Sequence, residues 1–105
     1  ELKTQLVDWI EAVVGEKLNK NEPFEKVLKD GITLCKLMNK IVPGGIKKIV
    51  MKGGNFTWME NLQAVQKSMR TYGVPEDELF QPIDLCEARN VKAVVKSLAA
   101  LARLV

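Results

Sequence analysis

Residues 90–105 read "NVKAVVKSLAALARLV". Valine, leucine and alanine recur there every three or four places, the spacing of one buried helix face and not of a strand. With Lys92 set at 0° and about 100° per residue, Lys96 falls near 40°, Arg103 near 20° and Ala99 near −20°. Val94, Val95, Leu98, Leu101, Ala102 and Val105 share the opposite arc, about 120° wide. Asn90 stands where an N-cap belongs. One side of this helix is built for a core, and the other is a narrow cationic ridge.

The same period governs three other segments. In residues 1–18, Leu2, Leu6, Trp9, Ile10 and Val13 form a stripe about 100° wide, with Trp9 as a core anchor. "GITLCKLMNKIV" (31–42) follows Asp30, placed as an N-cap; Leu34, Cys35, Met38, Ile41 and Val42 supply its inner face, and Pro43-Gly44-Gly45 ends it. From Phe56 to Tyr72, Trp58, Leu62, Val65, Met69 and Tyr72 are in register, and Gly73 is placed as the terminator. "VPEDELF" (74–80) has the layout of another helix start, a proline followed by three acids. "NKNEPFEKVLKDG" (19–31) reads as a polar connector with an apolar patch at Phe24, Val27 and Leu28. "IKKIVM" (46–51) alone has strand composition, inside a loop bracketed by glycine pairs. The expectation is an all-α compact bundle of about four main helices plus one or two short ones.

A chain of 105 residues, 47% apolar, makes one domain with a core large enough to fold alone. It opens inside a helical stripe, which reads as a domain trimmed from a longer chain. No stretch has signal-peptide layout or the length to span a membrane, so the expected setting is soluble, intracellular and cytoplasmic. Cys35 and Cys86 lie among apolar neighbours and read as reduced, buried thiols, although spacing alone leaves a disulfide between them open.

Catalytic and metal chemistry find little material. Histidine is absent, which removes the commonest general base and a common zinc ligand. Gly44-Gly45 and Gly53-Gly54 fit neither phosphate-binding glycine pattern. Glu76, Asp77 and Glu78 lack the alternating spacing of a calcium loop. The reading is a protein that is not an enzyme and holds no metal or cofactor.

The net charge of +3 is mild, but it is unevenly placed. Residues 88–105 carry Arg89, Lys92, Lys96 and Arg103 with no acid, leaving residues 1–87 at a net −1. A solvated helix face is normally charged, and lysine near a helix C-terminus is favourable in any protein. Such a face usually mixes signs, however, and this one carries a single sign. The ridge is therefore a candidate contact for an acidic partner.

Three stretches together resemble the calponin homology family. "KDGITLCKLMNKIVP" is similar to its D-G-x-x-L-C-x-L-x-N helix. "FTWMENLQAVQKSMRTYGVPEDELFQPIDLCEARNVKAVVKSLAALAR" is similar to its later half, where M-E-N opens the buried helix and Y-G-V follows. Trp9 in "LVDWIEAVVGE" matches the tryptophan of the family's first helix. The resemblance covers the chain and is nearest to the single-domain type of calponin, transgelin and invertebrate muscle calponin-like proteins. Cys86 stands where that type usually has tyrosine, and Pro82 where threonine is usual; the loop "IKKIVMKGG" is the chain's own.

The resemblance implies a compact helical bundle associated with the actin cytoskeleton. In tandem modules of the family, the first and last helices contribute to the filament surface. By position these are the exterior of residues 1–18 and Lys92, Lys96 and Arg103, the ridge chosen independently by charge. Lys47 and Lys48 are added as candidates from their loop. A lone domain of this type binds filaments weakly, and its relatives rely on short repeats that nothing here resembles. The expected partner of this monomer is therefore filamentous actin, held weakly; the alternative is a signalling scaffold for a kinase or other regulatory protein. Nucleic acid is disfavoured, since the ridge has three charges, no interleaved aromatics and no base-reading amides. A phosphoinositide contact through Lys47, Lys48 and Lys52 rests on three lysines of one loop.

Overall fold

The computed structural model describes residues 2–18 and 21–105, without the side chains of Leu2 and Asn55. The expectation for Leu2, and the Asn19–Lys20 part of the connector, lie outside the described residues.

The four periodic segments are helices: α1 (Leu2–Val14), α3 (Ile32–Ile41), α4 (Asn55–Tyr72) and α6 (Val91–Leu104). Two five-residue helices, α2 (Phe24–Leu28) and α5 (Pro82–Cys86), join them, with a single 3-10 turn at Glu76–Glu78. Among the described residues no strand forms, and the radius of gyration is 12.2 Å. One compact domain of this length has about 13 Å.

α3 lies between α4 and α1, while α6 packs on α1, α5 and the 3-10 turn. Leu6 and Ile10 of α1, Leu34 and Met38 of α3, Leu62 and Met69 of α4, and Leu98 and Leu101 of α6 meet in one core. Leu37, absent from the expected inner face of α3, is fully buried, whereas Ile41 and Val42 are half-buried. Trp9 is half-buried against the core. Trp58 is half-buried too, its ring covered by the Lys29 ammonium at 4.8 Å from the centroid.

Three local expectations change. The connector holds α2, because Phe24 and Leu28 are one helical turn apart and both sink into the core. Asp30 is not the N-cap of α3: Gly31 takes that place in a left-handed conformation, and Asp30 Oδ1 accepts the Ile32 N–H at 3.0 Å. Pro75 opens only the 3-10 turn, and the helix proper starts at Pro82, where the Gln81 N–H donates to the Asp84 carboxylate at 2.9 Å. The reason lies in Leu79 and Phe80, both buried. Leu79 is extended, and the Gln66 amide holds the Phe80 carbonyl at 3.1 Å, so a helix cannot run through them.

Gly73 does terminate α4, its N–H donating to the Met69 carbonyl at 3.1 Å. Asn90 caps α6, accepting the Ala93 N–H at 3.2 Å.

Segment 46–51 has strand composition but pairs with two asparagine side chains instead of another strand. Asn39 Oδ1 accepts the Ile46 N–H at 2.8 Å, and its Nδ2 donates to the Ile46 carbonyl at 3.0 Å. Asn61 does the same at Val50, with distances of 2.9 and 2.8 Å. Each amide supplies one donor and one acceptor to a single residue, as a neighbouring strand would.

Candidate partner-binding site

Lys92, Lys96 and Arg103 share the outer edge of α6, and all three are exposed. The buried side of the helix is Val94, Ser97, Leu98, Ala100 and Leu101. On the projection used above this arc runs from about 80° to about 240°, not from about 180° to about 300°. Val95 and Ala102 are consequently marginal, and Val105 is 58% exposed.

Ser97 explains the rotation. It is fully buried, and its hydroxyl donates to the backbone carbonyl of Glu78, drawing the 3-10 turn onto α6. That contact also alters the electrostatics of the ridge. Glu78 Oε1 comes within 3.6 Å of Arg103 Nη2. Asp77 and Glu78 line, with Lys92, Lys96 and Asn90, a shallow depression of about 280 Å³. Counting charges along residues 88–105 finds no acid; folding supplies two from a turn upstream. The ridge is thus corrected to two lysines without an ion pair within 4.0 Å among the described residues, beside one paired arginine. Arg103 is exposed and Glu78 half-buried, and a pair so near the surface contributes little to stability.

Lys47 and Lys48 line a different depression from Lys92 and Lys96. They line a groove of about 490 Å³ with Val42, Ile46, Ala64, Lys67 and Tyr72, sharing no residue with the depression on α6. The five candidates therefore form two groups. The groove's third lysine, Lys67, escapes a reading confined to loops and the last helix. Helical spacing offers a signal: Lys67 lies on α4 between Ala64 and Thr71, which line the same groove.

The two thiols are free and buried. Burial, with the Asp30 carboxylate as a lesser cause, pushes Cys35 up to about 12 from 9.0. Burial, then the Glu87 carboxylate, raises Cys86 as well. Cys35 Sγ further donates to the Asn61 carbonyl at 3.5 Å. Since only the thiolate is a strong nucleophile, iodoacetamide at pH 8 should alkylate native Cys35 about a thousandfold more slowly than the urea-unfolded chain. Mass spectrometry showing comparable rates would contradict this burial. Among the described residues no three of His, Cys, Asp or Glu gather as a metal site. No helix among them is long and apolar enough to cross a membrane.

Comparison with known proteins agrees with this architecture. The family profile of the calponin homology (CH) domain matches residues 1–105. The chain is 40% identical over 103 residues to muscle-specific protein 20 of Drosophila melanogaster, covering 98% of this chain and 56% of that protein. It is 45% identical over 102 residues to myophilin of Echinococcus granulosus, covering 96% and 54%. With calponin-2 of Bos taurus the identity is 43% over 100 residues, covering 95% and 32%. The chain thus spans about half the length of the first two relatives and a third of the last. Among solved structures, the calponin-homology domain of Rng2 from Schizosaccharomyces pombe superposes with a TM-score of 0.86 at 26% identity, over 96% of this chain and 64% of that one.

Proposed function

The chain belongs to the calponin homology domain family, and on that premise we propose that it is an actin-associated cytoskeletal module that contacts filaments weakly through the outer edge of α6. It is similar to single-domain calponin-like proteins, a structural and non-enzymatic group. The observation that carries the reading is the pair Lys92 and Lys96, exposed and without an ion pair within 4.0 Å among the described residues, on a helix whose other side is buried. Filaments are acidic, and cations at a rim accelerate and orient encounter more than they tighten it.

The neighbouring acids keep the contact weak. With Arg103 engaged by Glu78 and Asp77 beside the lysines, the ridge presents a small positive field. Reversing both lysines (Lys92→Glu with Lys96→Glu) should weaken cosedimentation with filamentous actin about tenfold at low salt, the difference shrinking as salt rises. Equal pelleting of the reversed and parent chains would leave the ridge a solvated face.

The mixed signs around Arg103 also favour a second reading, a scaffold docking a kinase or other regulatory protein, with filament contact made by regions outside these residues. Failure of the 105-residue chain to pellet, beside normal pelleting of a longer chain containing it, selects the scaffold. A cytoplasmic setting and a monomeric state complete both readings.

A further inference from the structure

We infer that the groove between segment 42–48 and the C-terminal half of α4 is a second docking site, for an acidic protein segment bearing an apolar side chain between its carboxylates. The groove's floor is apolar, with Ile46 buried and Val42 and Ala64 half-buried. Lys47, Lys48 and Lys67 stand exposed around it. Among the described residues no acid lines it, in contrast to the depression on α6. None of the three lysines has an ion pair within 4.0 Å among the described residues.

The loop that carries Lys47 and Lys48 is held in place before any partner arrives. Asn39 clamps Ile46 on one side of the two lysines, and Asn61 clamps Val50 on the other. Only three residues lie between the clamped positions. Little backbone freedom is left to lose on binding, which is how a shallow groove reaches useful affinity.

The chemistry of the lining selects the occupant. A purely apolar segment would desolvate three ammonium groups without a counter-charge. An inositol phosphate headgroup is polar all round and would leave the apolar floor without a partner. Carboxylates flanking a leucine or phenylalanine satisfy both parts, and the Ser68 and Thr71 hydroxyls along one wall add hydrogen-bond partners.

The test needs no filaments, so its failure and the failure of the α6 reading are separate results. The probe is a fluorescein-labelled peptide with a leucine–phenylalanine pair between two runs of three glutamates, followed by anisotropy at low salt on the 105-residue chain. Binding should fall about tenfold or more in the Lys47→Glu, Lys48→Glu, Lys67→Glu triple variant, and less than about twofold in the Lys92→Glu, Lys96→Glu variant. Replacing the probe's apolar pair by alanines should weaken it about fivefold or more, which separates the groove from bare charge attraction. No binding by the parent up to millimolar peptide overturns the proposal, as does equal binding by the triple variant. Lysine-dependent flotation with phosphatidylinositol bisphosphate vesicles but no peptide binding assigns the groove to a membrane and overturns it too. Self-association by sedimentation that vanishes in the triple variant assigns it to a second copy, with the same consequence.

Discussion

Replacing Asn61 by alanine should destabilise the domain by about 3 kcal/mol and lower its melting temperature by about 15 °C. Asn61 is 1% exposed, and each of its amide hydrogens and its oxygen is used. Its Nδ2 donates to the Asp30 carbonyl at 2.9 Å and to the Val50 carbonyl at 2.8 Å, while Oδ1 accepts the Val50 N–H at 2.9 Å. Alanine would leave three backbone groups without these partners. Val50 is only half-buried and can recruit water, which holds the loss near the lower end of about 1–3 kcal/mol per group. Against a total stability of about 5–15 kcal/mol this is a large fraction. Asn61→Asp keeps the shape but turns an acceptor toward two carbonyls. It should destabilise at least as much near neutral pH; burial beside two carbonyls raises the carboxyl of that variant, so stability recovers partly as pH falls towards about 4 and protonation returns one donor. Thermal and urea unfolding followed by circular dichroism check both variants; an alanine variant melting within about 3 °C of the parent would show that the clamp is dispensable.

The clamp also marks the limit of what the sequence discloses. The four long helices are legible because each carries an apolar stripe at helical period over at least ten residues. α2 and α5 have five residues each, too few to display a period, and such short helices exist only through packing. Pro75 has the layout of a helix start yet opens only the 3-10 turn, while Pro82 opens α5. The buried Leu79–Phe80 pair, with Leu79 extended, keeps the first from running on to the second, and that is a tertiary fact. Asn61 was within reach: it lies three residues after Trp58 and four before Val65, on the core stripe of α4, where an amide must find partners. What those partners are depends on a loop that periodicity cannot place.

The candidate surface divides in the same way. Alignment of Lys92, Lys96 and Arg103 follows from helix geometry alone, and the structure keeps them on one exposed edge. The approach of Glu78 to Arg103 joins residues far apart in the chain through the buried Ser97 hydroxyl. A serine on the projection reads as a marginal polar position, and nothing local says that a carbonyl will meet it. Likewise, Lys47 and Lys48 read as a loop pair until folding sets Lys67 across from them. Residues within one helix are therefore predictable as a group, while a site built from a loop and a helix is not.

Gly31→Ala should destabilise the domain by about 3–4 kcal/mol. Two separate effects add. Gly31 has φ +76°, where an L-residue is strained by about 1–2 kcal/mol. A Cβ there would also stand 2.7 Å from Asn61 Cβ, 3.2 Å from the Leu62 nitrogen and 3.3 Å from the Asn61 carbonyl carbon. Two of those atoms are α4 backbone and the third is fixed by the Asn61 clamp, so α3 and α4 would have to separate where they meet. Overpacking of this kind costs about 1–3 kcal/mol. Gly15 provides the control, since its φ is +82° and nothing lies within 4 Å of its would-be Cβ. Gly15→Ala should thus show the conformational effect alone, about 1 kcal/mol. The difference between the two variants in urea midpoint, at unchanged slope, measures the contact between the helices. Equal midpoints would mean that α4 yields without resistance at Asn61, contrary to the packing described.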